Sequence, residues 1–282
     1  MSKKNLKYVV YSFFLFLSIE IIVQSKGYGI IDYLKSVTIF EEYDSRLESS
    51  LGVKFSNGLT GDVTPESWKS TSQIGTENSG EPVESKARVI HLFELLSDEV
   101  RVLPDSVKSD LKIVVIVSHL VNRGLSSGGT YDPGLGALYI ATESDSGVVP
   151  DEYVASTFHH ELSSMLMEKY SFDEIGWRNI LGKDFKYESD KNPFYFIAVL
   201  ERDVEIKEEE YYFKRGLVSY YGETGVENDY NEYVGMIFSE PEKMRSLISE
   251  YPKIKEKYAY IKSFYLSIDE GFKPSFDKID AG

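Results

Sequence analysis

At 282 residues and 42% hydrophobic, the chain is long enough to bury a substantial core as one or two domains. A formal net charge of −15 excludes a nucleic-acid surface, whose phosphates demand a basic face, and is read as serving solubility. Cysteine is absent and histidine is limited to His91, His119, His159 and His160, which rules out thiol catalysis, disulfides and cysteine-ligated zinc and leaves few imidazoles for any metal site.

The amino end reads as an export signal. Lys3, Lys4 and Lys7 form a cationic start, Tyr8 to Ser18 an apolar run, and Val23-Gln24-Ser25 an imperfect small-residue cleavage site. Glu20 interrupts the apolar stretch, and Tyr8 to Val23 is shorter than the roughly 20 residues a membrane span needs. Residues 1–25 are therefore expected to be a signal peptide, with an uncleaved anchor over residues 8–23 as the alternative. The expected location is exported: periplasmic, cell-surface or secreted. Membrane contact is expected only through that segment.

Residues 27–55 read as a mixed first element, with a helix through Ile30–Ser36 continuing toward Leu47. Gly58 to Lys86 is rich in Ser, Thr, Gly, Glu and Pro and reads as loop or linker, which sets residues 26–85 apart from a domain over 86–282. From Lys86, the spacing of Val89, Leu92, Phe93, Leu96 and Val100 predicts an amphipathic helix. Leu111 to Val117 is a β-branched run expected as a buried strand, and Gly136 to Thr142 as a second. Gly128-Gly129 and Asp132-Pro133-Gly134 mark turns between them.

Pro150 with Asp151 and Glu152 opens a helix, because proline suits the first turn and acids complement the macrodipole there. It is expected to run to about Tyr170 on an apolar stripe of Ala155, Phe158, Leu162, Met165 and Leu166. The charged run Glu205 to Glu210 reads as a solvated helical face. A helix follows from Asn228 to Phe238, then one opened by Ser239 and Glu242 at capping-box spacing, then a last one after Pro252. The fold class is α+β: a small mixed sheet, one central helix and a helical C-terminal half.

The chemistry concentrates on that central helix. His160-Glu161-Leu162-Ser163-Ser164 follows the H-E-x-x-H zinc signature, in which two histidines four apart grip the metal and the glutamate acts as general base. Ser164 stands in the place of the second histidine. His159 lies about 100° around the helix from His160, so the two imidazoles diverge. A second block runs Ser219-Tyr220-Tyr221-Gly222-Glu223-Thr224-Gly225-Val226-Glu227-Asn228-Asp229-Tyr230-Asn231-Glu232.

Together the two blocks resemble zincin-like zinc metallopeptidases, most of all the lethal-factor-like group, over roughly residues 86–265. The resemblance implies a zincin-like domain, zinc as cofactor, peptide or protein as substrate, and an edge strand along the cleft, here Leu138–Ala141. It places the general base on Glu161, an oxyanion-supporting phenol on Tyr221, and metal ligation on His160 with Asp229 or Glu232. Carried over without a gap, the expected ligand positions fall on Ser164 and Asn228, both poor zinc donors. A small rotation of the helix start would offer Glu227 instead.

The residues support two functions. One is an exported zinc-dependent peptidase with a divergent site. The other is a catalytically inactive pseudo-peptidase that binds peptide or protein, with Ser164 and Asn228 hydrogen-bonded across the former site.

Overall fold

The computed structural model describes residues 46–69, 78–122, 124–192, 195, 199 and 205–281, so the expected export signal and the helix through Ile30–Ser36 lie outside it. The chain divides between Ser50 and Leu51 into two units, and the sheets all belong to the second. That boundary lies well before the expected Lys86. The reason is β1 (Lys54–Asn57), which pairs in parallel with β3 (Ile113–Val117) and so belongs to the main sheet.

Ile113–Val117 is buried at four of its five positions, as a β-branched run with structure on both faces must be. β7 (Ala137–Ala141) pairs in parallel on its other side and is buried throughout. The sheet order is β1-β3-β7-β6, and β6 (Gly129–Asp132) lies antiparallel to β7 with Thr130 opposite Tyr139. This corrects the expectation that Leu138–Ala141 forms the open edge. The two turn signals flank a four-residue strand that folds back and covers β7. Asp132 Oδ1 accepts from the Leu135 amide at 2.8 Å, and Gly136 takes a left-handed φ of +62° to complete the reversal. β2 (Ser79–Gly80), β4 (Leu120–Asn122) and β5 (Leu125–Ser127) form a second small sheet, and β8 (Glu143–Ser144) pairs with β9 (Gly147–Val148).

One face of the main sheet buries Val115, Val117, Ala137, Tyr139 and Ala141 against Val63 and Leu120. Tyr139 donates to the Val63 carbonyl at 2.8 Å, and Trp68 lies on its ring at 4.7 Å. Part of the expected linker is thus the cover of this face. Its polar composition concealed Val63 and Trp68, which pack on the sheet.

The helices α1 (Lys86–Arg101) and α2 (Asp151–Lys169) pack together, with α2 also against β6 and β7 and Phe93 of α1 meeting Phe55 of β1 at 5.3 Å. Both helices begin and end close to the expected residues. α2 has no side-chain cap; instead Asp151 at its start accepts from Arg88 Nη1 at 2.6 Å and pairs with His91 Nε2 at 2.5 Å. Eleven of its residues are buried, including Thr157, Glu161, Ser163 and Ser164, so it is enclosed rather than amphipathic.

The C-terminal half is helical: α3 (Glu174–Leu181), α4 (Glu209–Arg215), α5 (Val226–Ser239), α6 (Pro241–Glu250), α7 (Pro252–Ile268) and α8 (Lys273–Asp280). The expected capping box at Ser239 does not form. Ser239 Oγ donates back to the Gly235 carbonyl, and α6 starts at Pro241 without a side-chain cap. In the charged run, Glu205 to Glu208 is exposed but not helical, and the helix begins at Glu209. α5 crosses α2 closely: a Cβ added at Gly235 would lie 2.5 Å from Ser156 Oγ.

A buried ion pair holds these helices together. Asp229 of α5 and Lys257 of α7 are both fully buried and bonded to each other. Asp229 Oδ2 also accepts from Trp177 Nε1 (2.9 Å) and the Tyr187 hydroxyl (2.5 Å). Lys257 Nζ lies 4.5 Å from the Trp177 ring centre and 5.2 Å from that of Tyr233. Burial pushes the Lys257 ammonium down to about 8 and the Asp229 carboxyl up, while their mutual attraction opposes both shifts. Removing one partner strands the other charge, so Lys257→Met is expected to cost about 3–5 kcal/mol in urea denaturation. The double variant Asp229→Asn/Lys257→Met should recover much of that loss.

Candidate active site

The site lies where α2, α5, β6 and a 3-10 turn (Tyr221–Thr224) meet. His160 Nδ1 is 3.3 Å from Glu232 Oε1 of α5, and the His160 ring centre is 6.2 Å from that of Tyr221. Burial works against protonation of His160, but the Glu232 carboxylate and the charge of Glu161 outweigh it and raise its proton affinity. Burial likewise works to raise the Glu232 carboxyl, yet His160 and a hydrogen bond from Ser219 hold it below its usual range. Burial and the charges of Glu232 and Glu161 push the Tyr221 phenol up, so it is a neutral donor.

One helical turn on, the second ligand place is closed. Ser164 Oγ donates to Glu227 Oε1 at 2.7 Å and accepts from Asn231 Nδ2 at 2.6 Å. Ser163 Oγ bonds to Asn231 Oδ1, so both serines engage α5. Asn228 is elsewhere: its Nδ2 donates to Thr224 Oγ1 at 2.6 Å, and the Ser164–Asn228 bond anticipated for a metal-free site is not the one that forms. The helix explains this. At about 100° per residue, Glu227 and Asn231 share a face, Asn228 and Glu232 share another, and Asp229 points opposite the first pair.

The expected site residues thus separate. His160, Glu161, Tyr221 and Glu232 come together. Asp229 is turned away, with Oδ2 committed to Lys257, Trp177 and Tyr187, which leaves it unsuited to the ligand role assigned to it. His159 is a core residue, its Nε2 bonded to Glu99 at 2.8 Å and its ring stacked on Phe238 at 4.4 Å. Sequence reasoning missed Asn231 and Gly129, although the four-residue spacing of Glu227 and Asn231 was available as a signal.

Glu161 is only 8% exposed and has no hydrogen-bond partner among the described residues. It lies against the edge strand: a Cβ added at Gly129 would fall 2.8 Å from both its Cγ and Oε1, and 2.8 Å from Thr157 Cγ2. Burial lifts its carboxyl from 4.5 to about 7; His160 pulls it down and Glu227 adds to the rise.

Zinc requires three protein ligands. Among the described residues no three His, Asp or Glu side chains converge to hold a metal ion. His160 is paired with Glu232, and Glu227 is bonded to a serine hydroxyl where an imidazole is needed. The donor set does not fit zinc.

No family model and no curated protein matches the chain. Among solved structures it is similar to the crystal structure of a candidate zinc-binding metallo-peptidase from Bacteroides caccae, at 12% identity and a TM-score of 0.50, over 88% of this chain and 95% of that one. That likeness defines the class by fold alone: a metallopeptidase-like α+β fold with a helical C-terminal half.

The folded state keeps the Glu161 proton up to about pH 7, whereas the unfolded chain releases it near 4.5, so this group's contribution falls as pH rises between those values. Relative to Glu161→Gln, the wild type should lose on the order of 3 kcal/mol between pH 4 and pH 8 in urea denaturation. Separately, Ser164→His supplies the missing imidazole beside His160 and Glu227. Titration with cobalt(II) should then develop a visible d–d absorption that the wild type lacks.

Proposed function

We propose that this chain is a zincin-like peptidase fold of lethal-factor-like layout that has given up its metal and binds an extended peptide or protein segment. The observation that carries this reading is the pair of hydrogen bonds at Ser164, to Glu227 and from Asn231. A hydroxyl committed to a carboxylate and an amide latches two helices together at the place where the second imidazole of the signature would stand. The binding element is the edge strand Gly129–Asp132, whose outer side takes no strand partner among the described residues. An extended segment added there gains main-chain hydrogen bonds, the general basis of strand addition. Export through residues 1–25 belongs to the same proposal.

A second reading is a hydrolase with Glu161 as general base and Tyr221 supporting the developing oxyanion. Favouring it are the Glu161 carboxyl at about 7, near the value that suits a base at neutral pH, and the zinc-binding description of the Bacteroides caccae protein.

Elemental analysis and binding titrations separate the two. The metal-free module should carry far less than one equivalent of zinc, keep its melting temperature in chelator, and bind extended peptides without cleaving them. Stoichiometric zinc whose removal lowers stability, with peptide cleavage abolished in Glu161→Gln, would sink the module and establish the hydrolase.

A further inference from the structure

The C-terminal half carries a basic pocket, and none of its lining residues belongs to the site on α2. It is a cavity of about 470 Å³ where the ends of α3 and α4 meet the start of α7. Leu181 and Phe185 line it together with Lys183, Lys214, Arg215 and Lys253, and Asp184 is the one acid among them.

Helix-end chemistry accounts for part of this charge. Lys253 Nζ donates to the Leu181 carbonyl at 2.9 Å, as a cation at the C-terminus of α3 should. The other cations are not consumed in this way. Lys183 lies beyond the end of α3 and pairs with no described residue. Lys214 meets Glu210 at 2.7 Å in an i, i+4 pair with both side chains over three-fifths exposed, a contact that contributes little and opens easily. Arg215 is held in place. Its Nη1 bonds the buried Glu223 of the 3-10 turn, and its guanidinium lies 5.2 Å from the Phe185 ring centre and 4.8 Å from that of Tyr211. Its other nitrogens donate to no described residue. With Glu210, Glu223 and Asp184 set against the four cations, a positive charge is still left over in a chain of net −15.

The distribution of the donors selects the anion. A carboxylate presents two oxygens in one plane and is satisfied by the fork of a single arginine. A phosphoryl group presents three terminal oxygens and takes donors from several sides. Here the donors come from three elements: Lys183 after α3, Arg215 at the end of α4 and Lys253 at the start of α7. The cavity is of the size that takes a small organic ligand, with Leu181 and Phe185 as its apolar wall.

We infer that this pocket binds a phosphate monoester, its phosphoryl oxygens on Arg215, Lys253 and Lys183 and its organic part against Leu181 and Phe185. A soluble monoester and a lipid headgroup present the same group to these residues.

The test is calorimetric titration of phenyl phosphate and of benzoate into the full chain in phosphate-free buffer. Phenyl phosphate should bind at one site per chain and about tenfold more tightly than benzoate, the gain expected of a further charge-assisted hydrogen bond. Lys183→Glu, at an exposed position, should keep the melting temperature and weaken phenyl phosphate by about tenfold or more. Lys255→Glu, the same charge change on α7 outside the pocket, should leave affinity within about twofold. Vesicles containing phosphatidate separate the two sources. Co-sedimentation that phenyl phosphate competes away assigns a headgroup, and phenyl phosphate binding without co-sedimentation assigns a soluble monoester. Absence of saturable binding, equal affinity for benzoate, or equal losses in Lys183→Glu and Lys255→Glu overturns the inference.

Discussion

The Asp229–Lys257 ion pair sets the rotation of α5, and the site depends on that rotation. With Asp229 directed into α7, Trp177 and Tyr187, the opposite face of α5 must carry Glu227 and Asn231 toward α2. The flank between them carries Glu232 to His160. A turn of one residue in either direction would bring a different set to Ser164. The pair is a costly element, since two charges are taken wholly out of water, and one oxygen of Asp229 has no partner. What it supplies is register: a single roll of α5 is compatible with it.

The enclosure of α2 follows from the layers around it. Sheet and α1 cover one side and α5 the other, with Gly235 allowing the close crossing at Ser156. A helix buried on most faces must satisfy its polar side chains internally. Ser163, Ser164 and Asn231 do so reciprocally, and His159 does so through Glu99. Glu161, 8% exposed and without a hydrogen bond from a described residue, packs against Gly129 of the edge strand.

Local sequence dictates the long periodic and β-branched elements. The helix Lys86–Arg101, the strands Ile113–Val117 and Ala137–Ala141, and the helix Asp151–Lys169 arise from spacing, residue type and start signals that act within a few residues. It also dictates that His160, Glu161 and Ser164 share one stretch of helix, because 3.6 residues per turn leaves no choice. Tertiary packing settles the rest. Gly129–Asp132 reads as turn chemistry and becomes a strand only because β7 offers an unpaired edge. Val63 and Trp68 look like linker until the sheet face needs covering. Whether Asn228, Asp229 or Glu227 faces Ser164 differs by about 100° per residue, and that angle is set by a lysine 28 residues downstream, which no local pattern reports.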